Sequence, residues 1–251
     1  MFRSASLASF FSALQGAPNA QSGRVRFWIG IVLCLVLPVF LAIGALRVYF
    51  PYKKVRLESR GKGVLELRTR KFVLRSRAVA EYVPLEEIPP PLIRALLYQE
   101  DRGFYRHRGY SPREMARALW DYLVLDRPAR GASTLTQQLA RTLFLSRKKT
   151  LRRKLLELRI ARVLENRLSK GKILELYVNH VYWGKNRSGL ARAAAYYFHK
   201  PAAALGVEES VLLVSILPNP DACRTIRRCT RGAEFRRARL RKFLKRRHRS
   251  R

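Results

Sequence analysis

The chain has 251 residues, with 52 Lys+Arg against 17 Asp+Glu and a formal charge of +35. That length holds one domain of ordinary size plus appendages, and 48% hydrophobic residues exclude a globally disordered chain. The charge excludes a polycationic partner and leaves three anionic ones open: nucleic acid, an anionic membrane, or a phosphorylated substrate.

Residues 1–26 read as a tail rich in Ser, Ala and Gly. The run FWIGIVLCLVLPVFLAIGAL, residues 27–46, is uncharged over 20 residues. At about 1.5 Å per residue a helix of that length spans a hydrocarbon core of about 30 Å. The apolar stretch is too long for a signal-peptide core, and no clean small-residue cleavage site follows it. Trp28 at one end and Tyr49, Phe50 and Tyr52 at the other suit membrane interfaces, and Pro38 is tolerated within such a span. One uncleaved transmembrane anchor is expected. Arg3, Arg24 and Arg26 precede it; Arg47, Lys53, Lys54, Arg56, Arg60 and Lys62 follow it. A charge count alone puts the large domain in the cytoplasm, but long domains cross regardless of such counts.

Residues 47–84 alternate in short runs such as VLELRTRKFVL, which fits a strand or two or an irregular membrane-proximal neck. From Pro89 the signals are helical. PPPLIRALLYQED opens with prolines, places Leu92, Ala95, Leu96 and Gln99 on one face, and meets Gly103 soon after Glu100. Glu100 and Asp101 therefore sit at a helix C-terminus, where negative charge is unfavourable. Ser111 and Pro112 start a helix that carries Arg117. Thr134 with Gln137 predicts a capping box ahead of a Leu135–Leu139–Leu143 stripe. Thr150 to Leu168 predicts a long basic helix with Leu151, Leu155, Leu158 and Ala161 on one side. Ser169 caps a helix over KILELYVNHVYWG that Gly184 ends. ARAAAYYFHK and GVEESVLLVSILPNP complete the helical set.

Residues 223–251 differ in composition: 14 Lys/Arg and the single acid Glu234 lie within 224–251. Phe235, Leu240, Phe243 and Leu244 would line one side of a surface helix. Anionic lipid, nucleic acid and a plain solvated end all fit this tail, and lipid is the simplest target for an anchored protein. Cys223 and Cys229 would close a small disulfide loop if that side is oxidising. The four histidines are dispersed, so no histidine-based metal site is supported.

Five blocks stand in order: EDRGFYRHRG (100–109), GASTLTQQLAR (131–141), RKLLE (153–157), KILELYVNHVYWG (172–184) and AAAYYFHKPAAAL (193–205). Over roughly residues 85–220 they resemble the glycosyltransferase domain that polymerises peptidoglycan, the family-51 type found in class A penicillin-binding proteins. Shared YFHKP-like and LPNP segments bring the chain nearest to the monofunctional biosynthetic transglycosylases. Ser146–Lys149 and Ser169–Lys172 fit S-x-x-K only as strings, without K-T-G, so transpeptidase activity is not expected.

The resemblance implies a mostly α, lysozyme-like helical domain at 85–222, beside the tail at 1–26, anchor at 27–46, neck at 47–84 and basic tail at 223–251. It implies a lipid II donor and acceptor and an inverting reaction that releases polyprenyl pyrophosphate. Glu100 matches the family's base, since a hydroxyl needs one at neutral pH, and Glu157 matches its second catalytic glutamate. Asp101, Phe104, His107, Arg117, Ser133, Thr134, Gln137, Gln138, Arg141, Arg153 and Lys154 are the expected substrate-binding residues, the cations serving the pyrophosphate. Several have plainer readings: an i,i+3 ion pair for Lys154 and Glu157, helix capping for the Ser133–Gln138 block, and architecture for Phe104 and His107. Glu175 and Asn179 are expected to be structural. Arg141-Thr142 replaces the Lys-Asn common in relatives, keeping the charge. A divalent cation (Mg or Mn) assisting the pyrophosphate stays open. Lipid II, nascent glycan, membrane lipids and cell-wall synthesis or division proteins are the expected partners; nucleic acid is not. The family's chemistry places the domain on the outer face of the cytoplasmic membrane. A muramidase-like hydrolase and a membrane-tethered binder of anionic lipid or nucleic acid are the alternatives.

Overall fold

In the computed structural model the first helix begins where the prolines put it. Helix α1 runs Pro90–Glu100, with Pro89 as N-cap, and ends at Asp101, whose φ of −158° and ψ of 80° leave the helix. Proline is tolerated at this start because the first helical N–H groups have no partner inside the helix. The structure describes Gly30 and residues 56–59, 63–68, 73–123, 131, 133–146, 148, 150–222 and 230–248. Residues 55–251 make up one compact unit, and the fold below is that of its described residues. The expected anchor at 27–46 and the pair Cys223 and Cys229 lie outside the described residues, Gly30 excepted. Among the described residues no helix is long and apolar enough to cross a membrane.

This unit opens with an antiparallel three-stranded meander of β1 (Arg56–Ser59), β2 (Leu65–Arg68) and β3 (Val73–Arg75). Leu65 pairs with Ser59 and Glu66 with Arg75. Leu65, Glu66 and Leu67 are buried, and the Glu66 carboxylate is held by Arg68 at 2.7 Å and Arg75 at 2.9 Å. A buried carboxylate needs such partners.

Helices then dominate: α2 (Pro112–Leu123), α3 (Leu135–Phe144), α4 (Leu151–Arg167), α5 (Lys170–His180), α6 (Leu190–Phe198), α7 (Val207–Ile216) and α8 (Arg231–His248). They form two packs. In one, α1 and α8 both lie against α7. Ser210, Val211, Leu213, Val214, Ser215 and Ile216 of α7 are all buried, as expected of a helix apolar nearly all round. In the other, α3 packs on α4 and α5. Leu135, Leu139 and Ala140 of α3 share this core with Ile160, Ala161 and Leu164 of α4 and with Ile173 and Leu176 of α5.

Four local expectations change. The helix from Ser169 stops at His180, and Tyr182–Gly184 becomes strand β4, paired with β5 (Arg187–Ser188). Lys185 and Asn186, at φ 52° and 58°, form the tight turn between them, the twist that two-residue hairpins prefer. Leu151 is 86% exposed, so the apolar face of α4 starts later, with Ile160, Ala161, Val163 and Leu164. Thr134 caps α3 by accepting the Gln137 N–H at 3.2 Å, but the Gln137 side chain turns elsewhere, so the box is half made. Residues 231–248, expected within a tail apart from the domain, form α8, which buries Ala233, Leu240 and Leu244 while Phe235 stays 70% exposed.

Candidate active site

The two packs meet where α1 ends. Glu100, on its last turn, is partly exposed, and its Oε2 accepts a hydrogen bond from Gln138 Nε2 at 3.1 Å. Gln138 Oε1 in turn accepts from the Tyr177 hydroxyl at 3.0 Å. That donor fixes the amide with its NH2 toward Glu100. Burial pushes the Glu100 carboxyl above the ordinary carboxylate range, and neighbouring Asp101 adds to the rise. The Gln138 hydrogen bond and the charges of Arg236 and Arg141 pull it back without cancelling the effect. Burial, with the Glu100 charge beside it, holds the Tyr177 phenol well above its usual range, so it stays a donor.

Asp101 has another task. It is buried, its Oδ2 accepts the Leu135 N–H at 3.0 Å, and both its oxygens lie within 3.0 Å of His107 Nε2. Gly109 N–H donates to His107 Nδ1 at 3.3 Å, which leaves the ring proton on Nε2 to point at Asp101. Carboxylate and imidazole thus tie the 101–109 loop to the start of α3. Gly109 carries φ +91°, and a Cβ there would stand 3.1 Å from the Ala161 backbone. Its carbonyl accepts from Thr134 Oγ1 at 2.8 Å and from Gln137 Nε2 at 3.2 Å. Phe104 is 1% exposed, with the Lys170 ammonium 4.3 Å from its ring centre.

Glu157 forms a second centre on α4. It is fully buried, Oε2 accepting from Arg153 Nη1 at 2.8 Å and Oε1 from Lys154 Nζ at 2.5 Å. Lys154 also donates to Ser133 Oγ at 2.8 Å and to Gln137 Oε1 at 2.9 Å, so its three donors are used. Arg153 Nε is buried without a hydrogen-bond partner among the described residues. A divalent cation does not fit at Glu157, because both oxygens already hold cationic side chains. Among the described residues no group of three or more His, Cys, Asp or Glu stands ready for a metal.

The residues expected from the sequence therefore divide. Glu100, Gln138, Arg141, Ser133, Arg153 and Lys154 keep part of their surface open. Asp101, Phe104, Thr134, Gln137 and Glu157 are buried, and the His107 side chain is 8% exposed; the bonds described above face inward. Five of these were expected at the substrate and Glu157 as a second catalytic group; in this structure each contacts other groups of the frame. Arg117 is exposed on α2 and makes no side-chain hydrogen bond or ion pair among the described residues. Glu175 and Asn179 bind the 82–85 segment to α5: Glu175 accepts from the Tyr82 hydroxyl and Leu85 N–H, and Asn179 accepts the Val83 N–H at 2.9 Å. Sequence reasoning missed Tyr177, although it lies inside the fourth block, and Arg236, hidden in a run of like charges.

A transglycosylase family profile matches residues 68–246, which takes in both carboxylate centres and all but the end of α8. The chain belongs to the transglycosylase family. A biosynthetic peptidoglycan transglycosylase from Nitrosomonas eutropha is 36% identical over 208 residues, covering 80% of this chain and 83% of that protein. One of the same name from Burkholderia ambifaria is 42% identical over 140 residues, covering 56% and 57%. Penicillin-binding protein 1B of Vibrio cholerae is 37% identical over 186 residues, 72% of this transglycosylase but only 23% of the longer protein.

Proposed function

We propose that this transglycosylase is a peptidoglycan glycosyltransferase that extends glycan strands from lipid II, with Glu100 as the base. The observation that carries this reading is the state of Glu100: partly open to substrate, oriented by the Tyr177–Gln138 relay, and raised in proton affinity by burial. A base poised nearer to working pH transfers protons more effectively than an ordinary carboxylate.

In the reaction the acceptor's 4-hydroxyl oxygen forms a bond to the anomeric carbon of the donor. Its proton passes to Glu100. The bond between that carbon and the pyrophosphate oxygen breaks, and polyprenyl pyrophosphate leaves with the electron pair. An α-linked donor gives a β-linked product by this single displacement. Arg141, Arg153 and Lys154 supply positive charge for the leaving anion. Glu157 is buried beneath Arg153 and Lys154, so its role is to orient those cations rather than to touch sugar. Asp101 and His107 hold the loop between Glu100 and α3.

The uncharged run 27–46 tethers the domain to the cytoplasmic membrane with the domain on the outer face, where a lipid-linked donor is met. The test uses the full chain and labelled lipid II. The expected result is a ladder of lengthening glycan that Glu100→Gln abolishes. Dissolution of isolated sacculi with lipid II untouched would instead identify a hydrolase.

A further inference from the structure

The C-terminal helix is the feature that the proposed reaction leaves unused. Its inner face reaches the last turn of α1, the turn that carries Glu100. Phe243 stacks on Tyr98 with ring centroids 4.0 Å apart and planes 17° from parallel. Arg239 Nη2 donates to Gln99 Oε1 at 3.0 Å, and its guanidinium carbon lies 5.6 Å from the Tyr98 ring centre. The other side of that ring is served by Arg102 at 4.1 Å. Arg236 Nε donates to the Ser215 carbonyl at 2.7 Å, and Arg237 Nε to the Ser215 hydroxyl at 3.1 Å, which pins the helix to α7. Residues 98 and 99 are thus gripped directly, and Glu100 follows them on the same turn.

We infer that α8 belongs to the reaction centre: through Arg239 and Phe243 it fixes the turn bearing Glu100, and through Arg236 it sets the charge balance on that side of the carboxylate. The proposal rests on the reading of Glu100 as base. Arg236 and Arg239 are positioning residues, acting through Glu100 without contact to substrate.

The cost of keeping these guanidinium groups supports a purpose. Arg239 Nε is buried without a hydrogen-bond partner among the described residues, a disfavoured arrangement. Burial draws the Arg236 guanidinium below its usual range, and the Glu100 charge works against that drop. A basic tail needed only for net charge would present these side chains to solvent, as Arg231, Lys242 and Lys245 do.

Other charged groups around Glu100 come from several elements. Asp101 follows it, Arg141 is on α3 and Tyr177 on α5. On α7, Glu208 and Glu209 are engaged by Arg241 and Lys200 at 2.7 Å. Arg236 is therefore the charge whose removal changes the balance from the α8 side.

The test is a direct titration of the Glu100 carboxyl by infrared difference spectroscopy on the full chain, with Glu100→Gln identifying its band. Arg236→Gln is expected to move the titration upward, and Arg236→Lys to restore it. In lipid II polymerisation the same variant should lose rate on the acid side and keep its plateau. Arg239→Gln should lower kcat about threefold with KM unchanged, the pattern of a displaced base. A titration that Arg236→Gln leaves in place overturns the inference. If Arg236→Gln does not melt cooperatively, an Arg239→Gln enzyme with unaltered kcat and Glu100 titration overturns it equally. Wild-type protein that makes no glycan, yet shows the Glu100 band shifted by Arg236→Gln, would fail the proposed reaction while upholding the link between α8 and Glu100.

Discussion

Glu100 and Glu157 are both glutamates in the motif blocks, but the fold treats them in opposite ways. Glu157 is fully buried with a cationic partner on each oxygen. Glu100 is partly open, accepts one hydrogen bond from a neutral amide, and feels its cations at a distance. A buried carboxylate gripped by two charged donors has both oxygens committed to its partners. A half-buried carboxylate with one neutral donor is left able to take up a proton. The lesson is that the two acids are distinguished by the partners that other helices bring to them.

The sharpest way to break this contrast is to neutralise each acid in turn. Glu100→Gln should abolish polymerisation, a loss of about 10²-fold or more, while the protein still folds. Its melting temperature at neutral pH should be no lower than wild type. The sign follows from the raised proton affinity of Glu100 in the folded state. Its contribution to stability is full below the ordinary carboxylate pKa and is lost as pH rises through the raised one. Activity moves the other way and grows as the carboxyl ionises.

Glu157→Gln should behave differently. It leaves Arg153 and Lys154 without their shared anion and should destabilise the fold by about 3–5 kcal/mol, read as a lowered midpoint in urea. Equal stability in the two variants would erase the distinction. A smaller loss is expected for Gly109→Ala, which puts a Cβ 3.1 Å from the Ala161 backbone at φ +91°. That strain should cost about 1–3 kcal/mol and loosen the 101–109 loop, seen as faster amide exchange at Leu135. The mildest change, Gln138→Ala, removes the hydrogen bond that holds Glu100 down, so the acid limb of the rate profile should move to higher pH with the fold intact.

Much of this was legible in the chain because it is local. The prolines at 89–91 and the carboxylates at 100–101 place the end of α1, and Thr134, Thr150 and Ser169 cap the helices that follow them. The ion pair of Lys154 and Glu157 was legible too, being only three residues apart on one helix. What was hidden depends on contacts distant in sequence. Gln138 is 38 residues from Glu100, and Arg239 is 140 from Gln99. Residues 231–248 look like a solvated tail because cations outnumber apolar residues. Yet Ala233, Leu240 and Leu244 suffice to seat the helix, and Arg237 is buried with them. His107 and Phe104 sit in a motif and so look like substrate contacts; their partners Asp101 and Lys170, which the motif alone does not reveal, tie them into the loop.

The most direct measurement is the pH dependence of kcat/KM for lipid II polymerisation by wild-type protein beside Gln138→Ala. The predicted wild-type profile has an acid limb with its midpoint above the ordinary glutamate value of about 4.3, shifted further upward by Gln138→Ala. A limb at the ordinary value that Gln138→Ala leaves unmoved would contradict the assignment of Glu100 as the base.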